Sequence, residues 1–457
     1  MDNIFFLSCF LPLVLIIYWL VPGTKGKNAV LLLFSLLFYS FGSLSSLALL
    51  VAVTLVNYLL GLLLQREKLQ KAALTAGIVL DLAFLAFFKY ADFLLSGILG
   101  LSPLQTSLAA PLGISFFTFK CISYLMDAYR DRKQAADSFW KLLLYVSFFP
   151  QITMGPITRF GEFGPQLESR TLSAENMAQG LRRFAAGLGK KIILAGTLAT
   201  VADGVFALET VDARLAWAGA VCYCLQLYFD FSGYIDMVIG LGTCFGLTTR
   251  ENFNYPYTAV SVGGFWRRWH MSLSAWFKDY LYIPLGGNRK GKLRAGINKS
   301  IVFLLCGLWH GAAWTFVLWG LWHGLFSLLE SLNVIPAKRL ESGRGRIIGH
   351  IYTLLVVCIG FVMFRAGSVM QGLQIIGAMF TGFRFTAAGT VALHRLLNAE
   401  TLLAMAAGIA LSTPISLKLM ESKTAQRLSW LGALAVLALC IIKMAAGDFA
   451  PSIYAQF

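Results

Sequence analysis

Stretches of apolar residues at or above the length of a membrane span follow one another from end to end of the chain. The charged residues collect in the short loops between them. A hydrocarbon core about 30 Å thick is crossed by roughly 20 helical residues, each rising about 1.5 Å. On that measure residues 4–20 form a first span. They follow Asp2 with neither a basic leader nor an Ala-x-Ala cleavage site, so the run reads as a retained span and not as a removed signal peptide. Four more spans precede Lys133, and further apolar segments fall at 138–155, 184–206, 215–247, 300–329, 348–366, 368–382, 400–418 and 425–446. The pattern predicts an all-α polytopic membrane protein of about ten to twelve segments, some of them re-entrant. No internal repeat is visible, and residues 1–457 read as a single membrane domain. Within it, N-terminal transmembrane helices occupy 1–140, a core with amphipathic and re-entrant helices 141–335, and C-terminal transmembrane helices 336–457.

Charge orients these spans. Lys25 and Lys27, then Arg66, Lys68 and Lys71, then Arg130, Arg132 and Lys133 occupy alternate loops, while the loops at 42–46 and 99–113 carry no charge. Basic loops stay inside, so the alternation puts the N-terminus outside, consistently over five spans. Composition adds little to this picture. The chain is 58% hydrophobic and 13% charged, with a mean hydropathy of +0.70, where a soluble chain carries about 25% charged residues. The net charge of +16 is used for topology and for contact with membrane lipids. No nucleic-acid motif accompanies it, and no nucleic-acid partner is expected. Eight cysteines show neither zinc-type nor disulfide-framework spacing, so their expected role is packing and no metal site is expected.

Residues 248–298 have the lowest apolar content and are rich in aromatics. Within them lies FWRRWHMSLSAWFKDYLYIPLGGNRKG, residues 265–291. Projected at about 100° per residue, Phe265, Trp266, Trp269, Leu273, Trp276, Phe277, Tyr280 and Leu281 share an arc of roughly 160°, and Arg267, Arg268, Lys278 and Asp279 take the rest of the wheel. The projection predicts one amphipathic helix, ended by Pro284 and the Gly286–Gly287 pair. His270 falls inside the apolar arc near its margin, with Ser274 one turn on, and so faces protein or lipid. An interfacial anchor helix whose histidine makes a structural hydrogen bond also accounts for the pattern.

Between Lys299 and Glu330 the chain runs through 30 residues with no formal charge but two histidines. With Lys299 as the inner boundary, His310 lies roughly 16 Å deep, near the middle of the core. An ionisable group at that depth must face a cavity or a partner. A neutral imidazole there can take a proton from a hydroxyl as a general base, and a helix–helix hydrogen bond is its competing role. Gly307, Gly311, Ala312 and Ala313 permit close approach beside it. The run is too long for one untilted span and too short for two, which predicts a tilted or broken helix. His323, thirteen residues on, is expected near the far side of the bilayer, on a different face, in a structural role. The chain holds no Gly-x-Ser-x-Gly elbow, no P-loop and no His-Glu-x-x-His.

Five ordered segments carry a resemblance: FFPQITMGPITRFGEFGPQL (148–167), LYFDFSGYIDMVIGLGTCFG (227–246), ENFNYPY (251–257), the aromatic segment above, and GLWHGAAWTFVLWGLWHG (307–324). Together they resemble the bacterial membrane-bound O-acyltransferases, in the branch typified by the membrane subunit of alginate O-acetylation. The resemblance implies a ring of helices around a central tunnel, in a multi-pass protein of the bacterial cytoplasmic membrane. It also implies that His310 and His270 stand at the family's two catalytic histidine positions. The implied reaction carries an acetyl group from cytoplasmic acetyl-CoA, a co-substrate and not a bound cofactor, to hydroxyls of an exported or cell-wall polysaccharide. An extracytoplasmic SGNH-type acetyltransferase is the implied partner. On this reading His310 is the base, and His270 orients the thioester or donates to the developing oxyanion. Trp266, Trp269, Trp309 and Trp314 are candidate tunnel walls, and Ser274 is a candidate donor contact. Arg267, Arg268, Lys278 and Arg289 could meet the CoA phosphates, anionic lipid being their other role, and Asp230 and Asp236 could pair with such cations.

Three positions depart from the family pattern: Ile235, Met154 and Lys120. Lys120 shares a helix face with Asp127, and the two could neutralise each other. Two other readings remain at this point. One is a D-alanyl-type acyltransferase drawing on a carrier-protein thioester. The other, from a different class, is a glycan or lipid transporter, which would call for paired charges along a pathway and some repeat symmetry.

Overall fold

The computed structural model describes residues 1, 3–102, 110–415 and 422–447, and among them every regular element is helical. Asp2, part of the uncharged loop at 99–113 and the end of the segment expected at 400–418 lie outside the described residues. Among the described residues, five helices are long and apolar enough to cross a membrane: Leu44–Leu63, Glu67–Ile98, Ala174–Phe206, Gly345–Arg365 and Leu428–Ala445. Shorter apolar helices run over Phe6–Leu20, Val369–Thr381 and Ala399–Leu411. Polar caps start several of them: Ser43 Oγ accepts from the Ser46 N–H, Ser368 Oγ from Gln371, and Asn398 Oδ1 from Thr401. Each cap satisfies an amide that the first helical turn leaves without a partner.

The chain forms two compact units. The first comprises Met1–Phe184 and Met237–Arg250. Its core is aromatic: Phe10 meets Phe34 and Phe149 edge-on at 5.7 and 5.5 Å, and Tyr18 donates to the Phe245 carbonyl at 2.6 Å. Lys120 is buried here, its Nζ donating to the Tyr145 carbonyl at 2.9 Å and to Gln151 Oε1 at 3.3 Å. The expected neutralisation by Asp127 is therefore not formed. Seven residues are two helical turns, about 10 Å of rise, and Asp127 instead lies 3.8 Å from Arg130.

The second unit comprises Ala185–Asp236 and Glu251–Phe457. Lys191 pairs with Asp230, and Lys190 with Asp236 at 2.6 Å, so both carboxylates of that apolar run are matched by adjacent lysines. Of the tilted or broken helix expected, the run bounded by Lys299 and Glu330 is broken, and the break makes it a hairpin. Helix Gly291–His310 ends at the first histidine, Gly311 and Ala313 are extended, and helix Trp314–Ser331 returns. Glycines let the two arms touch. A Cβ on Gly307 would lie 2.3 Å from the Phe316 carbonyl oxygen, and one on Gly320 would lie 2.5 Å from that of Phe303. Ser300 Oγ donates to the Gly324 carbonyl at 3.0 Å, and Lys299 Nζ to Ser331 Oγ at 2.8 Å across the open end. Because the chain reverses, His323 is not on the far side. It comes back beside Trp266 and Trp319, at ring-centroid distances of 5.0 and 5.1 Å.

Candidate functional site

A cavity of about 380 Å³ in the second unit is lined by both candidate histidines, His270 and His310, together with Trp266, Arg267, Ser274 and Lys278. That volume lies at the lower end of the ~300–1,000 Å³ typical of small-molecule sites. His310 reaches it as the last residue of the first hairpin arm, where Trp309, Trp319 and Phe364 pack their rings 4.9–5.3 Å from its own. Gly311 follows in extended backbone, where a Cβ would lie 2.1 Å from the Phe316 ring, so the position takes glycine.

His270 is placed by a different device. The single amphipathic helix predicted from Phe265 up to Pro284 is two short helices, Val262–Trp266 and Met271–Phe277, continued by a π-turn over Lys278–Tyr282. Between them His270 adopts φ 45° and ψ 52°, the left-handed region that few non-glycine residues occupy. The aromatic face survives the break. Phe265 and Trp269 stack at 5.4 Å, and Trp266 meets Phe303 and Trp319 edge-on.

The left-handed turn is held by Asn252, which is fully buried. Its backbone carbonyl accepts from the Met271 N–H at 3.0 Å, and its Oδ1 accepts from the Ser272 N–H at 2.8 Å. With Oδ1 so engaged, the amide nitrogen faces His270 Nδ1, 3.3 Å away. Nδ1 is then the acceptor and the imidazole proton sits on Nε2. Nε2 is buried and has no hydrogen-bond partner among the described residues. Burial pushes the pKa of this imidazole down to about 3, so it is neutral at ordinary pH. The ring offers the cavity an N–H donor and no charge.

The mouth of the cavity is charged. Arg267, Lys278, Lys299 and Glu330 line it, and the first three are exposed. Glu330 accepts from the backbone N–H groups of Val262 and Gly263 at 2.7 and 2.9 Å, which ties the returning hairpin arm to the start of helix Val262–Trp266. Negative charge at a helix start is favourable as well as hydrogen-bonded.

The other candidates lie elsewhere. Arg268 turns back to the Asn254 carbonyl at 3.3 Å, and Arg289 to that of Ile283 at 3.5 Å. Neither lines the cavity, nor do Trp269, Trp309 and Trp314. Trp269 stands behind it in the aromatic stack, Trp309 packs on both histidine rings, 6.2 Å from His270 and 4.9 Å from His310, and Trp314 is 52% exposed. Sequence reasoning passed over Asn252, Lys299, Glu330 and Cys306. Asn252 had a signal in the NFNYPY segment, and Lys299 and Glu330 are the charges that bound the 30-residue run. A hairpin brings its two bounds together.

The profile of the MBOAT, membrane-bound O-acyltransferase family, matches residues 31–369. The chain is 41% identical over 387 residues to the probable alginate O-acetylase of Pseudomonas syringae pv. tomato, covering 82% of this chain and 74% of that one. It is 36% identical over 413 residues to the peptidoglycan O-acetyltransferase of Helicobacter pylori, covering 82% and 78%. It is 29% identical over 272 residues to the teichoic acid D-alanyltransferase of Bacillus subtilis, covering 55% and 68%.

Proposed function

The chain belongs to the membrane-bound O-acyltransferase family and is a multi-pass membrane acyltransferase; from that footing we propose that it moves an acetyl group from cytoplasmic acetyl-CoA to hydroxyls of an exported or cell-wall polysaccharide. The observation that carries this reading is the convergence of His270 and His310 on one cavity with a cationic mouth. The mouth suits the phosphates of CoA, with Arg267, Lys278 and Lys299 as partners. The narrow interior suits the slender pantetheine arm and its acetyl thioester.

His310 takes the proton of the acceptor hydroxyl while that oxygen attacks the thioester carbonyl carbon. Negative charge develops on the carbonyl oxygen, where the Nε2–H of His270 donates to it. As the tetrahedral intermediate collapses, the carbon–sulfur bond breaks and the imidazolium of His310 returns its proton to the CoA sulfur. One ester forms, one thioester is lost, and both histidines end neutral. Ser274 holds the cavity wall, its Oγ donating to the Trp266 carbonyl at 3.3 Å.

The relatives favour acetyl over D-alanyl transfer: the two O-acetylating relatives are aligned over 82% of this chain, the D-alanyltransferase over 55% at lower identity. On this reading the loop charges support an N-terminus outside, the family resemblance supports a bacterial inner membrane, and acetylation of the polysaccharide involves an extracytoplasmic SGNH-type partner. Purified protein offered acetyl-CoA or a D-alanyl carrier-protein thioester tests the donor. Thiol release from acetyl-CoA, and none from the carrier, is the expected result; the reverse overturns the choice of donor.

A further inference from the structure

The second unit contains a larger cavity of about 900 Å³ that the acyltransferase site does not use. Its wall is almost wholly apolar, with Trp217, Val221, Ile347, Ile351 and Leu354 among the lining side chains. Ile347 and Ile351 are 67% and 61% exposed. In water such a surface would call for cover. On a helix long and apolar enough to span a membrane it faces lipid.

One end of the groove is different. Arg346 lines it and is exposed, and its guanidinium makes no hydrogen bond or ion pair among the described residues. It is the second residue of helix Gly345–Arg365, whose 21 residues rise about 31 Å, the thickness of a hydrocarbon core. Arg346 therefore stands at headgroup level while Ile347, Ile351 and Leu354 run down into acyl-chain depth. The segment leading into the helix carries Lys338, Arg339 and Arg344 against Glu341, a cationic bias that marks the cytoplasmic face, where anionic lipids collect.

We propose that this groove is a binding site for one anionic phospholipid, its phosphate on Arg346 and an acyl chain along Ile347, Ile351 and Leu354. The inner wall of the groove includes Tyr257, whose hydroxyl donates to the Cys224 carbonyl at 2.5 Å and whose ring lies 6.0 Å from Phe265 and 6.3 Å from Trp269. A lipid here presses on the aromatic layer that backs the histidine cavity. The site stands on charge and groove geometry, independently of the acyl-transfer reading.

Native mass spectrometry of the delipidated full chain, titrated with dioleoyl phosphatidylglycerol and dioleoyl phosphatidylcholine, tests it. Wild type should retain one phosphatidylglycerol in preference to phosphatidylcholine. Arg346→Gln should weaken phosphatidylglycerol retention about fivefold, the scale of one cation beside an anionic headgroup, and leave phosphatidylcholine unchanged. Leu354→Trp, which fills the groove, should lower retention of both, while Arg384→Gln, a charge away from the groove, should match wild type. Arg346 is exposed, so its variant keeps the test alive if the filled groove does not fold. Equal retention of the two lipids by wild type, unchanged retention by Arg346→Gln, or full displacement by glycerol phosphate without chains would each overturn the proposal.

Discussion

At the residue scale the proposed mechanism gives the two imidazoles opposite tasks. Asn252 gives the Ser272 N–H its acceptor and thereby turns its own amide nitrogen to His270 Nδ1, leaving the proton on Nε2. Asn252→Leu strands the Ser272 amide in a buried setting and frees the tautomer. The expected outcome is a loss of about 1–3 kcal/mol in stability and a fall in kcat larger than any change in KM, checked by thermal unfolding in detergent beside steady-state kinetics. His270→Ala should lower kcat by about 10²–10³-fold, the scale of one lost oxyanion donor. The same burial has a pH consequence. The folded chain holds His270 near pKa 3 against the ordinary 6.5, so below pH 6.5 the unfolded chain binds a proton that the folded one refuses. Stability is full above that window and falls as pH drops through it. Between about pH 7.5 and about pH 5 the thermal midpoint of wild type should fall further than that of His270→Gln; equal falls would contradict this account of the imidazole.

At the element scale the hairpin Gly291–His310 and Trp314–Ser331 carries the site, and its arms close on glycine. Gly320→Leu would drive a side chain into the Phe303 carbonyl, where even a Cβ would come within 2.5 Å. It should cost about 1–3 kcal/mol or prevent folding, read as loss of a monodisperse peak and a lowered midpoint. Glu330→Ala releases two backbone amides at once and should lower kcat while leaving the hairpin folded, since Ser300 and Lys299 still join its arms. The length of the uncharged run was enough to call for a tilt or a break. That the break reverses the chain was hidden, because the first arm begins at Gly291, among charges that look like loop. The aromatic face was legible by projection and His270's place near its edge was too, but the break at His270 was not. A histidine in the left-handed region carries no local signature, and the residue that compels it, Asn252, lies eighteen positions earlier. Likewise the shared face of Lys120 and Asp127 was readable, but their partners come from residues 145, 151 and 130, which helical spacing alone does not rank.

At the scale of the whole molecule the exclusion of charge from the apolar runs does two jobs. On the topology read from the loop charges it orients the spans, and it leaves Arg267, Lys278 and Lys299 around one cavity mouth. If those cations meet a phosphorylated donor, Lys278→Gln combined with Lys299→Gln should raise the KM for acetyl-CoA about tenfold with little change in kcat. Added salt should narrow the gap between variant and wild type, because the lost interaction is screened. The central claim is that His310 takes part in the chemical step at this cavity. The measurement that meets it most directly is acetyl transfer from radiolabelled acetyl-CoA by purified protein, wild type beside His310→Ala, with donor binding measured on the same samples. The account predicts turnover by wild type and a loss of about 10²–10⁴-fold in the variant, with donor binding intact. Equal turnover by the two proteins would contradict it.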